Sequence, residues 1–352
     1  MAVSRRLLLI AGAALACDGS TGPSGPPRTF RMGFSAIPPR FDQAVLLQSL
    51  NLWTSSHADA AIMHISVPWA ALLSGIPAPQ EVAGNELGLA NFYRGKQLML
   101  VVMIDVTNGL DRSAEDPTLD SAGRSITDTA IQRMYREYVV AFDSIVHPDY
   151  LGLAAETNLI RLAAPDSVYQ AVVAMTNAAA ASINARSGAP PLFVSVQVEV
   201  VWGRLVGGSY AGIAQDLSDF PFVEAIGLSS YPYLGGFALP ESIPLDYYAR
   251  VLAGTGLPSL VVEGGWTSVS LGAFVSSPAT QARYLIRQAQ LLDSAHAIGL
   301  FQLTFADLDL SAFPGPPGSL TPFAHLGVVD SALGRKPALA SWDSILARSF
   351  VP

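Results

Sequence analysis

Eight short apolar runs alternate with longer helical segments along this chain, and that alternation constrains the fold more than any other feature. The runs are FRMGFS, AAIMHIS, QLMLVVMID, YLGLAAE, LFVSVQVEV, VEAIGLSSY, SLVVE and GLFQLTF. They are rich in β-branched and other apolar residues, which is typical of buried strands. The helical segments between them are clearest at 126–146, 167–186 and 278–296, and a last helix is expected near 336–350.

Strands that are separated by helices form a parallel sheet, because neighbouring parallel strands need a crossover connection. Eight such strands close most economically into a (β/α)8 barrel, the TIM-barrel fold. An open doubly wound sheet is the alternative. That fold usually carries a glycine-rich phosphate turn after its first strand, and the segment RMGFSAIPPRF has none. We therefore predict a single α/β domain, a (β/α)8 barrel over residues 30–352.

The composition fits a large buried core and limits the class of partner. Half of the 352 residues are hydrophobic and 14% are charged, against roughly a quarter charged in typical soluble domains. The net charge of −8 and the presence of only two lysines argue against a nucleic-acid partner, because phosphate binding needs basic clusters. A neutral or cationic small molecule or a polysaccharide suits this surface better.

Residues 1–16 have the pattern of an export signal. Two arginines precede the apolar run LLLIAGAALA, and the small residues Ala14 and Ala16 come just before Cys17. The segment ALAC resembles the lipobox of bacterial lipoproteins, in which the cysteine is lipidated; an ordinary cleavage after Ala16 is the alternative. Residues 17–29, rich in glycine, serine and proline, are predicted to form a flexible tether. The sequence thus predicts an exported protein, held at the cell envelope by a lipid on Cys17 or otherwise secreted.

Polar and aromatic residues stand at or just past most of the predicted strand ends. In barrels of this kind the active site lies at the carboxyl ends of the strands, so these residues are the candidates for a site. From the second strand to the seventh they are His64, Trp69, Asp105, Glu156, Glu199, Trp202, Tyr231, Glu263 and Trp266.

Two glutamates at the ends of different strands are the arrangement that cleavage of a glycosidic bond needs. One carboxylic acid protonates the leaving oxygen, and the other carboxylate attacks the anomeric carbon or activates water. The two pKa values must differ, so that one group is protonated while the other is ionised. Glu156 and Glu263 fit these two roles. Trp69, Trp202 and Trp266 offer flat apolar faces against which sugar rings pack, and the sequence therefore favours a carbohydrate cleft.

Three segments resemble the clan A glycoside hydrolases, and among these the arabinogalactan endo-β-1,4-galactanases most. AIGLSSYPYL resembles the family's strand-six pattern, VVEGGWTS its strand-seven pattern and AAETN its strand-four pattern. The resemblance implies a retaining (β/α)8 enzyme with Glu156 as acid/base and Glu263 as nucleophile. It also implies that Tyr231 is the tyrosine that hydrogen-bonds the nucleophile. Outside these segments the likeness extends only to the order of the elements.

Ala155 departs from the family pattern. The residue before the acid/base glutamate is normally an asparagine that hydrogen-bonds the 2-hydroxyl of the sugar, a contact that strengthens in the transition state. Asn158 is another candidate donor for that hydroxyl. The missing asparagine also supports an alternative function, namely a non-catalytic carbohydrate-binding surface lipoprotein with a degenerate hydrolase site.

The remaining candidates have simpler interpretations beside the functional one. Glu199 alternates with Gln197 in the fifth strand and is a further carboxylate that could face the barrel interior. His64 is either a hydrogen-bonded core histidine or a sugar ligand, and Asp105 either binds substrate or caps the loop that follows. The five histidines show no metal-binding spacing and no serine-hydrolase elbow occurs. We therefore predict neither a metal nor another cofactor.

Taken together, the residues and the resemblance predict a retaining O-glycosyl hydrolase. Its expected substrate is a β-linked polysaccharide or oligosaccharide, with galactan as one candidate. The expected partners are that substrate and, through the lipid anchor only, a membrane. No nucleic-acid partner is expected.

Overall fold

The computed structural model describes residues 25–205, 207–313 and 318–352. The predicted export signal, Cys17 and most of the predicted tether lie outside the described residues. The end of the tether belongs to the folded domain, because Arg28 is buried and pairs with Asp59 at 2.7 Å. Arg28 also forms a backbone bridge with Phe350. The described domain therefore begins slightly before the predicted boundary at residue 30.

Eight parallel strands form a closed barrel in which the spatial order follows the sequence. The strands are β1 Arg31–Ser35, β2 Ala60–Ser66, β3 Met99–Asp105, β4 Tyr150–Gly152, β5 Leu192–Gln197, β6 Ala225–Ser230, β7 Ser259–Gly264 and β8 Gly299–Gln302. The sheet closes because β1 pairs with β8, from Arg31 opposite Gly299 to Phe34 opposite Gln302. The predicted single (β/α)8 barrel is confirmed.

Helices follow the strands and cover the outside of the barrel. In the described ranges they are α1 Gln43–Ser56, α2 Trp69–Leu73, α3 Ala78–Asn85, α4 Leu87–Gly95, α5 Pro117–Ser121, α6 Thr129–Val146, α7 Thr157–Ala163, α8 Asp166–Asn184, α9 Val198–Val201, α10 Ala214–Asp219, α11 Pro278–Ala295 and α12 Pro337–Leu346. None of these described helices is both long and apolar enough to cross a membrane.

The boundaries of α11 show how local sequence sets a helix. The hydroxyl of Ser277 accepts a hydrogen bond from the backbone N–H of Thr280 at 3.2 Å, and Pro278 occupies the first helical position. Both features favour a helix start. The helix ends at His296, which adopts the left-handed conformation.

The barrel interior is a packed apolar core. Alternate strand residues such as Ile62, Val101, Phe193, Val262 and Phe301 form one buried cluster, whereas their neighbours pack outward against the helices. This two-sided burial explains why the strands are almost continuously apolar. The interior is therefore filled, and a ligand site is left to the ends of the strands.

Four strands end earlier than the sequence predicts: β4 by four residues, β5 and β8 by three each, and β6 by one. β4 stops at Gly152, and the residues that lead to Glu156 are irregular. β5 stops at Gln197, whose side-chain Oε1 accepts hydrogen bonds from the N–H groups of Glu199 and Val200 and so caps α9. Glu199 therefore lies on a short helix rather than at a strand end, which corrects its predicted position.

Candidate active site

A cavity of about 390 Å³ opens at the carboxyl ends of the strands. Its walls come from the ends of seven of the eight strands and from the segments that follow them, and both Glu156 and Glu263 line it. The volume lies within the range of small-molecule sites. The two carboxyl groups that the sequence singles out thus face one shared space.

Glu156 has an unusual backbone. Its φ and ψ angles are 48° and 47°, the left-handed conformation, immediately before α7. Its N–H donates to the hydroxyl of Ser195 at 2.8 Å, which ties it to β5. A residue with a side chain adopts this conformation only at a cost, and such strain clusters at functional sites.

Arg112 forms a hydrogen bond with the carboxyl group of Glu156. Its Nε donates to Oε2 of Glu156 at 2.9 Å, and its Nη1 donates to both carboxylate oxygens of Asp105 at 2.6 and 2.7 Å. All three side chains are largely buried, with 6% of Arg112 exposed. Asp105 therefore acts through Arg112, and its direct role as a sugar ligand has no support from this geometry.

Sequence reasoning did not select Arg112, although one signal was present. It is the only basic residue in the otherwise acidic segment 105–120. A single cation among carboxylates is expected to pair with some of them. Nothing in the segment indicates that one partner lies at the end of another strand.

Glu263 stands near the end of β7, beside Tyr231. The phenol of Tyr231 donates to Oε1 of Glu263 at 3.3 Å, which is the contact that the family resemblance implies. The two glycines that follow are required by packing. A Cβ on Gly264 would lie 2.5 Å from the carbonyl oxygen of Ser230, and Gly265 has a φ of 154°.

The electrostatics of the two glutamates suit acid–base chemistry. Burial raises the pKa of Glu156 to about 7, an effect that the charge of Arg112 opposes and that of Glu263 reinforces. Burial also raises the pKa of Glu263, again opposed by Arg112 and reinforced by Asp105. A proton on Glu156 near neutral pH is what a general acid needs.

His64 lies next to Glu263 but is not one of the residues that line the described cavity. Its Nε2 donates to the carbonyl oxygen of Val262 at 3.1 Å and lies 3.9 Å from Oε2 of Glu263. Burial lowers the pKa of His64 to about 4, so the ring is neutral at pH 7. The contact with Glu263 is therefore not an ion pair at that pH, and the core interpretation of His64 fits its position better.

Asn158, predicted as a sugar ligand, makes hydrogen bonds to β5 in the structure. Its Nδ2 donates to the carbonyl oxygen of Gln197 at 3.0 Å, and its Oδ1 accepts from the N–H of Gln197 at 2.8 Å. The side chain is 2% exposed and holds the first turn of α7 against β5. Because the amide is engaged in this way, it does not replace the asparagine that is missing at Ala155.

Glu199 is fully buried outside the cavity lining that the structure describes. Its carboxylate accepts hydrogen bonds from the N–H of Tyr231 at 3.0 Å, from the hydroxyl of Ser230 at 3.1 Å and from the phenol of Tyr247 at 3.0 Å. Burial raises the pKa of Glu199 to about 6. Glu199, predicted as a substrate ligand, thus holds the segment that carries Tyr231.

The three tryptophans do not reach the described cavity lining. Trp69 and Trp266 are each 1% exposed, and the indole N–H of Trp266 donates to Ser276 at 3.0 Å. Trp202 stacks on Tyr247 with ring centroids 5.1 Å apart. Trp69 and Trp266 are therefore buried, whereas Trp202 is half-buried. The cavity lining that the structure describes includes none of the three rings.

Two polar residues that sequence reasoning did not select do line the cavity. They are Gln197, at the end of β5, and Thr304, just after β8. The hydroxyl of Thr304 is buried, and within the described ranges it has no hydrogen-bond partner. A buried hydroxyl without a partner carries an energetic cost. Among the described residues, no group of three His, Cys, Asp or Glu side chains is placed to hold a metal ion.

No protein-family model matches the chain, and no curated protein matches it. Solved structures match its fold. An exo-β-1,4-mannosidase from Opitutaceae bacterium strain TAV5 is 15% identical, with a TM-score of 0.65 over 93% of this chain and 61% of that one. A β-glucuronidase from Ruminococcus gnavus in complex with uronic isofagomine is 13% identical, with a TM-score of 0.55 over 93% of this chain and 51% of that one.

The same glucuronidase in complex with uronic deoxynojirimycin is 14% identical, with a TM-score of 0.54 over 90% of this chain and 49% of that one. This chain thus spans about half to three fifths of the length of these structures. At such identities the likeness shows the barrel fold.

Proposed function

We propose that this protein is a β-glycoside hydrolase that works with retention of configuration. The observation that carries the proposal is that Glu156 and Glu263, from the ends of two different strands, line one cavity. Retaining cleavage needs two such carboxyl groups on either side of the scissile bond. The raised pKa of Glu156 and the hydrogen bond from Tyr231 to Glu263 give each glutamate the environment of its role.

In the proposed reaction, the carboxylate of Glu263 attacks the anomeric carbon and the bond to the leaving oxygen breaks. Glu156 gives its proton to that oxygen, and its new negative charge is stabilised by the guanidinium of Arg112, 2.9 Å away. The ionised Glu156 then takes a proton from water, which attacks the anomeric carbon and releases the sugar from Glu263. Both glutamates return to their starting states.

The similar barrels in solved structures support this reaction class. Their names describe an exo-β-1,4-mannosidase and a β-glucuronidase, and both are enzymes that act on β-linked glycosides. Galactan as the substrate rests only on the resemblance of the three sequence segments. A polymeric substrate has little support from the cavity, since the three tryptophans lie elsewhere.

Ala155 favours the alternative of a carbohydrate-binding protein without activity. It is 4% exposed and belongs to the apolar cluster inside the barrel, so it offers no donor to a 2-hydroxyl group. Direct measurement of turnover separates the two functions. Oligosaccharides of galactan, mannan and xylan and simple alkyl β-glycosides are incubated with the wild type and with Glu263→Ala, and released reducing sugar is measured.

We expect the wild type to hydrolyse at least one β-glycoside and Glu263→Ala to have lost turnover while it keeps its circular dichroism and melting temperature. Equal residual activity in the variant would remove Glu263 from the mechanism. Binding of an oligosaccharide by the wild type without hydrolysis of any glycoside would support the carbohydrate-binding alternative.

We also propose that the mature protein is attached to the cell envelope by a lipid on Cys17. The support is the sequence pattern of residues 1–17 alone. These residues lie outside the ranges that the structure describes. Mass spectrometry of the amino-terminal peptide from the native host tests it. A diacylglyceryl group on Cys17 is expected, and an unmodified Cys17 at the mature terminus would contradict the proposal.

A further inference from the structure

The cavity that holds the two glutamates is unusually rich in leucine. Of the seventeen residues that line it, seven are leucines and one is an isoleucine. Only six of the lining residues carry charged, amide or hydroxyl groups, and all six lie near the carboxyl ends of the strands or in the loop after β3. The site therefore combines polar groups around the reacting centre with aliphatic walls.

Three of these leucines come from the segments that follow β3, β4 and β5. Leu159 lies in α7, three residues after Glu156, and its N–H donates to the carbonyl oxygen of Glu156. Leu110 is in the same loop as Arg112, which holds the carboxyl group of Glu156. Leu205 comes from the segment after α9. Leucines thus line the cavity on the segment that carries the proton donor and on the segments of the two neighbouring strands.

Part of this surface is exposed in the free protein. Leu110 is 42% and Leu205 is 38% exposed, although both line the cavity. Exposed apolar surface at the mouth of a site gains free energy when an apolar group covers it. A sugar hydroxyl placed there would instead lose its hydrogen bonds to water, with few polar atoms to replace them.

We infer that the group released by this enzyme is an aliphatic alcohol, so that the substrate is a β-glycoside with an alkyl-type aglycone rather than a sugar polymer. The inference rests on the proposed function. A general acid gives its proton to the leaving oxygen, and the leaving group must therefore lie on the Glu156 side of the cavity, among these leucines. The sugar that is transferred to Glu263 meets the polar groups of the lining, among them Gln197 and Tyr231.

The walls favour an aliphatic over an aromatic aglycone. The two phenylalanines of the lining already pack against other rings: Phe323 lies edge-on to Tyr231 at 5.0 Å, and Phe313 lies against Phe41 at 4.6 Å. The remaining apolar lining consists of branched aliphatic side chains. These provide dispersion contacts for a chain but no flat face for a ring to stack on.

The test compares alkyl β-glycosides of one sugar, with methyl, butyl, hexyl and octyl aglycones. Their alcohols have nearly equal acidity, so leaving-group chemistry is held constant. We expect kcat/KM to rise about two- to fourfold per added methylene group until the cavity is filled, as burial of methylene groups implies. Equal kcat/KM for methyl and octyl glycosides, or a preference for the matching β-linked disaccharide, would overturn the inference.

A paired substitution locates the effect. Leu110→Asn combined with Leu205→Asn should lower the ratio of kcat/KM for the octyl glycoside to kcat/KM for the methyl glycoside about tenfold. Leu245→Asn, at a leucine that is 52% exposed and outside the described lining, is the matched control. A 2-phenylethyl glycoside, with the same number of carbons as the octyl compound, should be a poorer substrate than octyl; the reverse would overturn the aliphatic assignment.

Failure of the proposed function gives a different result from failure of this inference. If the wild type hydrolyses none of the glycosides, the proposed function fails, and titration calorimetry of the same protein with methyl and octyl glycosides decides whether the leucines of the cavity recognise an alkyl group. Tighter binding of the octyl compound that is lost in the Leu110 and Leu205 double variant supports it. Equal binding of the two compounds overturns it.

Discussion

Arg112 donates from Nε to Oε2 of Glu156 at 2.9 Å while its Nη1 holds both carboxylate oxygens of Asp105. The residue assigned as proton donor is thus attached to a buried cation that favours its ionised form. Burial acts in the opposite direction and prevails, because the pKa of Glu156 is raised to about 7. This balance allows one group to give up a proton in the first step and to recover it in the second.

Replacing Arg112 with glutamine should disturb this balance in a defined direction. Without the positive charge, burial and the charge of Glu263 raise the pKa of Glu156 further, so the alkaline limb of kcat/KM should move to higher pH. The turnover number should fall about ten- to hundredfold, which corresponds to the loss of a hydrogen bond to a charged group. Rates measured from pH 5 to 9 check this. Arg133→Gln, at a surface pair with Glu137, is the control. If the alkaline limb of Arg112→Gln lies at the same pH as that of the wild type, the assignment of Arg112 is contradicted.

The ionisation of Glu156 should also appear in the stability of the protein. The folded state binds this proton more tightly than the unfolded chain does, because the pKa is raised from 4.5 to about 7. The free energy of unfolding should therefore fall as the pH rises through this range. Glu156→Gln removes that contribution, so the wild type should lose more stability between pH 5 and pH 7 than the variant does. Urea denaturation at the two pH values measures the difference, and equal losses would show that Glu156 does not titrate in this window.

Tyr231→Phe should lower kcat about ten- to hundredfold, because the hydrogen bond of its phenol to Glu263 is lost. The backbone N–H of Tyr231 still donates to Glu199 in the variant, so the melting temperature should change little. Tyr233→Phe is the matched control, since the phenol of Tyr233 donates to the carbonyl oxygen of Pro322 instead. Steady-state kinetics of both variants check the expectation. Equal losses in the two would mean that the contact with Glu263 has no special role.

Backbone strain at Glu156 makes a separate prediction about stability. Its left-handed conformation suits glycine and penalises any residue with a Cβ, by about 1–2 kcal/mol. Glu156→Gly should therefore have a larger free energy of unfolding than Glu156→Ala, by about 1 kcal/mol once the greater freedom of unfolded glycine is included. Both variants remove the hydrogen bond between Arg112 and Glu156 and keep that between Arg112 and Asp105, so this effect cancels. A more stable alanine variant, by chemical denaturation, would rule out strain at this position.

The barrel could be predicted from the sequence because apolar strand segments and helical segments alternate along the whole chain. Strands that are buried on both faces must be apolar throughout, and parallel neighbours must be separated by helices. The same rule brings Glu156 and Glu263 to one face, since the ends of all eight strands meet there. Local sequence was also sufficient where a cap sets a boundary, as Ser277 does for α11.

The direction of individual side chains could not be predicted in this way. Trp69, Trp202 and Trp266 follow strand ends in sequence, but the rings of Trp69 and Trp266 are buried in the core and that of Trp202 packs half-buried against Tyr247. Asn158 and Glu199 also lie close to the site in sequence, yet their polar atoms are used by neighbouring elements. Arg112 and Thr304 line the cavity because irregular segments place them there. Contacts made by loops depend on packing between distant parts of the chain. Periodic sequence patterns predict strands and helices but not these contacts.

Covalent labelling tests the central claim, that Glu263 attacks the anomeric carbon, most directly. The wild type is incubated with 2-deoxy-2-fluoro-β-glycosyl fluorides of glucose, galactose and mannose, digested, and analysed by mass spectrometry. We expect time-dependent inactivation and a fluoroglycosyl adduct on the peptide that contains Glu263. This adduct should be absent from Glu263→Ala. An adduct on another carboxylate such as Glu199, or an enzyme that hydrolyses β-glycosides and yet acquires no adduct, would contradict it.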